Sequence, residues 1–93
     1  MSIVKIPTVL RPQVGGNKEL ELGGATVGEV VEALTTQFPG LKSQLLTVDG
    51  DLNRFVNVYV NGQDVRYLDG LATAVTERDE VRLLPAMAGG AQP

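Results

Sequence analysis

The sequence predicts an α+β fold, a mixed sheet of four to five strands packed on one main helix. Three observations carry that expectation. A single stretch, Val27 to Phe38, repeats apolar residues at helical spacing. The segments on either side of it alternate apolar and polar residues with the period of a strand. Turn-forming residues separate these segments, Asn61-Gly62 and Pro39-Gly40 among them. One amphipathic helix covers one face of one sheet, so the layers number two.

Taken in order, Ser2 to Leu10 reads as a strand with Val4 and Ile6 inward and Lys5 outward. Pro7 removes a ladder donor, which places it at an edge or a bulge. Arg11 to Asn17 is rich in turn residues and reads as a loop. Lys18 to Leu22 alternates again, Leu20 and Leu22 in, Glu19 and Glu21 out, completing an opening hairpin. Gly23-Gly24-Ala25 breaks the strand, and Thr26 with Glu29 forms a capping box. The helix then presents Val27, Val30, Val31, Leu34 and Phe38 on one stripe, with Glu29, Glu32, Thr35 and Gln37 off it. Pro39-Gly40 stops it, and Leu41, Leu45 and Leu46 fit one further short turn against the core.

Thr47 to Asn53 is a polar loop. Arg54 to Val60 is the clearest strand, with Val56, Val58 and Val60 on one face and Phe55, Asn57 and Tyr59 on the other. Asn61-Gly62 predicts a tight hairpin, because a type I′ turn needs two residues that tolerate positive φ. Gln63 to Tyr67 pairs back, Leu68 to Thr76 is irregular with at most one helical turn, Glu77 to Glu80 turns, and Val81 to Leu84 is the last strand. The order β-β-α-β-β-β, with first and last strands adjacent and parallel, is the β-grasp (ubiquitin-like) arrangement. Residues 1–85 are expected as this domain and residues 86–93 as a flexible tail.

Composition narrows the chemistry. Ninety-three residues make one domain. With no Cys and no His, the chain has no thiolate nucleophile, no disulfide, and neither the commonest general base nor the commonest transition-metal ligand. A net charge of −3 argues against nucleic acid and favours a basic protein partner. The N-terminus shows no charged region followed by an apolar stretch, and no apolar run is long enough to span a bilayer, so a cytoplasmic location without membrane attachment is expected.

Three Gly-Gly pairs occur: Gly15-Gly16, Gly23-Gly24 and Gly89-Gly90. Turn geometry accounts for the first two. Gly89-Gly90 follows the final strand, where no further element needs connecting, and reads either as a frayed terminus or as a functional tail. Between them, Ala86, Met87 and Ala88 carry little bulk and suit entry into a narrow cleft. If the helix covers the valine face, Phe55, Asn57 and Tyr59 look outward beside Leu84, an apolar patch of the kind that binds partners, unless the Leu68–Thr76 segment covers it. Asp49 to Asn53 fails as a calcium loop, since the sixth position is Arg54 and the twelfth Val60. Thr26 and Glu29 are caps, and Asp64, Asp69, Asp79 and Glu80 sit in turns without a partner base. There is no phosphate-binding glycine loop, so no side-chain active site is expected and the catalytic set is empty.

Five segments, Ile6 to Pro12, Arg54 to Asn61, Asp64 to Arg66, Gly70 to Val75 and Val81 to Gly90, resemble sulfur-carrier proteins of the ThiS/MoaD type, and above all the actinobacterial CysO group, which serves cysteine biosynthesis. The resemblance implies a carrier that is not itself an enzyme and binds no cofactor. An E1-like (MoeB-type) adenylyl/sulfurtransferase uses ATP to adenylate a terminal glycine carboxylate, and a sulfur donor displaces AMP to leave a thiocarboxylate. Matched by position, that carboxylate belongs to Gly90, with Gly89 giving room around it. Phe55, Tyr59, Leu84, Pro85, Ala86, Met87 and Ala88 would meet the partners, the activating enzyme and a sulfur acceptor such as a cysteine synthase. Ala91-Gln92-Pro93 follow Gly90, so cleavage between Gly90 and Ala91 by a metal-dependent protease is expected first. A ubiquitin-like modifier joined to lysines through Gly90, and a plain interaction module, are the alternatives.

Overall fold

The computed structural model describes residues 2–54 and 56–85. Five strands form one mixed sheet in the order β2-β1-β5-β3-β4. They are β1 (Ser2–Lys5), β2 (Glu19–Leu22), β3 (Val56–Val60), β4 (Gln63–Asp64) and β5 (Glu80–Pro85). The main helix is α1 (Val27–Gln37), and α2 (Lys42–Leu45) is a single turn. β1 and β5 lie parallel at the centre, with Val4 opposite Val81, while β2 and β3 flank them antiparallel. The expected β-grasp topology is the one observed.

The alternation in the strands decides which face is buried. Val4, Val58, Val81 and Leu83 are at most 1% exposed, and they meet Val27, Val30, Val31 and Leu34 of α1. Leu41 and Leu45 close the core from the segment after α1, as the sequence implies. Thr26 Oγ1 accepts from the Glu29 backbone N–H, while the Glu29 carboxylate accepts from the Ala25 N–H. Each end of the capping box therefore satisfies a backbone donor, one residue earlier than the usual reciprocal pair on the second arm. Thr35, expected off the apolar stripe, is 8% exposed, because the chain after α1 folds back over that flank. Its hydroxyl donates to the Glu32 carbonyl and so is satisfied where it is buried.

Two strands end earlier than their patterns predict. β1 stops at Lys5, and Thr8–Val14 forms a 3-10 helix in place of the end of a strand and a loop. Pro7 lacks a ladder donor and caps that helix in extended geometry, so it marks a strand end, not a bulge. Leu10 and Val14 bury from the helix into the core, and Gly15 closes it at φ +70°. β4 stops at Asp64, whose Oδ1 accepts from the Arg66 N–H and starts a 3-10 turn over Val65–Tyr67. A side chain offering its own acceptor competes with the ladder, which shortens the strand. The Asn61-Gly62 turn is as expected, with both residues at positive φ, +52° and +88°.

Candidate functional site

The outward face of the sheet meets the exit of the chain at the end of β5. Leu84 lies opposite Asn57 on β3, and Arg82 lies opposite Tyr59. Leu84 is 39% exposed, and Tyr59 and Asn57 are half-buried. The structure thus brings Tyr59 and Leu84, two of the expected docking residues, onto one face. Pro85 ends β5 opposite Val56. Phe55 and residues 86–93, with Ala86, Met87, Ala88, Gly89, Gly90 and Ala91 among them, lie outside the described residues.

The Leu68–Thr76 segment does not cover this face. It packs at the start of α1, where Val27 N–H donates to the Thr73 carbonyl and Val75 N–H to the Ala25 carbonyl. A side chain on Gly28 would sit 3.1 Å from the Leu71 carbonyl oxygen, so glycine permits that close approach. The cover comes instead from Arg66, which sequence reasoning did not assign a role. Its guanidinium donates to Asn57 Oδ1 at 2.7 Å, the Val56 carbonyl at 2.7 Å and the Asn53 carbonyl at 3.0 Å. It braces the start of β3 at the same end of the sheet as Pro85. An arginine just after a hairpin, closing the Asx turn that Asp64 begins, was the local sign.

Cross-strand register also assembles a row that no local pattern reveals. Glu19, Lys5, Arg82, Tyr59 and Asp64 are neighbours across all five strands. Lys5 Nζ pairs with Glu19 Oε1 at 2.6 Å, and Arg82 Nη2 with Glu80 Oε2 at 3.1 Å. Both pairs are largely solvated, so each contributes at most about 1 kcal/mol. The face is therefore polar with an apolar edge at Leu84.

No group of acidic side chains able to hold a metal occurs among the described residues. Asp79 is held below its ordinary carboxyl range by hydrogen bonds from the Asn61 side chain and the Thr76 N–H. It sits at the far end of β5 from Pro85 and ties the hairpin turn to the 76–80 turn; its environment is that of a structural group. No helix among the described residues is long and apolar enough to cross a membrane. Asp49 and Asp51 are exposed loop residues, as expected.

Relatives match most of the chain. Sulfur carrier protein CysO of Mycobacterium tuberculosis is 47% identical over 89 residues, covering 94% of this chain and 96% of the relative. A chain of the crystallised Amycolatopsis orientalis BexX/CysO complex superposes with a TM-score of 0.89 at 43% identity, covering 97% of this chain and 100% of that one. Small archaeal modifier protein 3 of Haloferax volcanii is 44% identical over 66 residues, 71% of each chain. The family model described as ThiS family matches residues 4–90, a span that runs from β1 through the Gly-Gly pair. On its fold and its sequence, this chain belongs to the ThiS family.

Proposed function

We propose that this chain is a sulfur carrier whose reactive group is the backbone carboxylate of Gly90. The observation that carries the reading is family membership extending through Gly90, in a chain with no Cys and no His to hold or activate sulfur on a side chain. A carboxylate resists nucleophiles because it is anionic and has no good leaving group. A Gly90 carboxylate oxygen attacks the α-phosphate of ATP and pyrophosphate leaves, giving the acyl adenylate. A sulfide-equivalent nucleophile then adds to the carbonyl and AMP leaves, giving the thiocarboxylate. Each step needs an enclosing enzyme, here an E1-like activating partner, since the carrier supplies no acid or base.

The domain's contribution is positional. β5, paired on both sides in the middle of the sheet, gives the tail a rigid origin at Pro85. Tyr59 and Leu84, with Phe55, dock the activating enzyme, while Pro85 to Ala88 thread toward its active site and Gly89 leaves room for nucleotide. Ala91-Gln92-Pro93 must first be removed, because Gly90 has no free carboxylate while they remain. The sulfur acceptor is a biosynthetic enzyme making cysteine or another sulfur-containing metabolite. A relative crystallised as a BexX/CysO complex supports docking of such carriers on a partner chain.

The test uses the chain cut after Gly90, incubated with activating enzyme, ATP and sulfide. Intact mass should rise by one sulfur-for-oxygen exchange. The full chain to Pro93 and a variant lacking Gly90 should show no rise, with the fold intact by circular dichroism. Loading of the Gly90-deleted variant contradicts the assignment, and loading of the uncut chain contradicts the cleavage step. The likeness to Small archaeal modifier protein 3 favours a second reading, conjugation to lysines through Gly90. A ladder of heavier tagged adducts in cells marks that outcome.

A further inference from the structure

The acidic net charge conceals a basic groove at the end of the sheet where the tail begins. It lies between the end of β1, the Thr8–Val14 helix and the end of β5. Lys5, Arg11, Lys18 and Arg82 line it with one carboxylate, Glu19, and Leu84 forms its apolar edge. Four of the chain's eight cationic side chains and one of its eleven carboxylates are gathered there. The rest of the chain therefore carries a net charge of −6. The groove's own lining carries +3, or +2 when Glu80, paired with Arg82, is counted with it.

Two of the four cations are already engaged. Lys5 holds Glu19, and Arg82 holds Glu80. Lys18 has no ion pair among the described residues, and its backbone carbonyl alone is used, accepting from Ile6 N–H. Arg11 donates from Nε to the Ile6 carbonyl at 3.1 Å and is half-buried, with no carboxylate in ion-pair reach among the described residues. That bond fixes the side chain and leaves the outer guanidinium nitrogens for an incoming acceptor, so less rotamer entropy is lost on binding. Leu84 stands at the rim, one residue before the last described position.

We infer that this groove receives an acidic segment of the activating enzyme, carrying two carboxylates for Arg11 and Lys18 and an apolar side chain for Leu84. The inference rests on the carrier reading and deepens it. A protein whose charge is divided in this way approaches an acidic surface tail-end first, and charges at the rim of an interface act mainly on the rate of encounter. The expectation of a basic partner, drawn from net charge, is thus reversed at the site itself.

The experiment measures ATP–pyrophosphate exchange by the activating enzyme as a function of carrier concentration, with the chain cut after Gly90. Lys18→Glu should raise KM about fivefold at low salt with kcat little changed, and the difference should shrink as added salt shortens the screening length. Arg11→Glu/Lys18→Glu should raise KM further. Lys42→Glu/Arg78→Glu has the same net charge change as that double variant but lies outside the groove, and should leave KM near wild type. Lys18 makes no side-chain hydrogen bond among the described residues, so its variant is not expected to disturb the fold; thermal melts check this. Unchanged KM in both groove variants overturns the proposal. So does an equal rise in the Lys42/Arg78 variant, which would make net charge the cause. Self-association of the wild-type chain that Lys18→Glu abolishes also overturns it, assigning the groove to a second copy. Absence of exchange with the wild-type chain would instead sink the carrier reading, and the groove's assignment with it.

Discussion

Gly23 and Gly24 are chain neighbours with opposite expected responses to alanine. Gly24 sits at φ +150°, a conformation that L side chains rarely adopt. A Cβ there would lie 2.9 Å from the Val30 backbone nitrogen and 3.0 Å from both Glu29 Cβ and Val30 Cγ2. Val30 N–H makes the first-turn bond of α1, to the Thr26 carbonyl at 3.0 Å, so the obstacle is backbone that cannot rotate away. Backbone strain of this kind costs about 1–3 kcal/mol, and forced overpacking about 1–3 kcal/mol more. Gly24→Ala should therefore lose about 3–4 kcal/mol, a fall in Tm of roughly 15–25 °C for a domain of this size. Gly23 has no positive φ and nothing within 4 Å of a built Cβ. Alanine there restricts the unfolded chain and should gain about 0.4–1 kcal/mol. Circular dichroism melts, with urea titrations to check that the m-value is constant, separate the two. If Gly24→Ala melts within about 5 °C of wild type, or if both variants lose alike, the reasoning from this backbone fails.

Two further outcomes follow from the side-chain network. Arg66→Ala removes three hydrogen bonds to Asn57, Val56 and Asn53 at the start of β3, a loss of about 1–2 kcal/mol given their exposure. Urea unfolding should show that loss, and Arg66→Lys should recover only part of it, since an ammonium cannot span three acceptors in one plane. Asp79 has a folded pKa below its unfolded value near 3.8, so it stabilises the domain above that pH, and the contribution fades as pH falls through the folded pKa. Asp79→Asn replaces an acceptor facing the Thr76 N–H with an amide that cannot serve both donors. The variant should melt below wild type between pH 5 and 8, with the gap closing at pH values below about 4; a gap that stays constant to the lowest pH refutes the role.

Much of this architecture was legible residue by residue. Val4, Val58 and Val81 announce their burial by alternation, Thr26 and Glu29 announce the start of α1, and Asn61-Gly62 announces its turn, because each signal comes from chemistry within a few neighbouring residues. The absence of Cys and His, and the Gly-Gly pair after the last strand, are likewise read directly from the chain. The limits of strands were less legible. β1 and β4 stop where Pro7 and Asp64 offer the backbone an alternative to the ladder, and periodicity does not weigh that competition.

Lateral neighbours were not legible at all. Alternation marks Lys5 and Arg82 as outward-facing, but only the parallel pairing of β1 with β5 sets them side by side, and only the 3-10 helix after Pro7 swings Arg11 toward them. The same holds for Arg66, whose partners lie on the strand before its hairpin. Sequence determined which face most strand and helix residues occupy, Thr35 excepted, since that depends largely on local geometry. Tertiary structure decided which charges share a groove, since that depends on contacts between residues distant along the chain, and the net charge of the whole chain is blind to their arrangement.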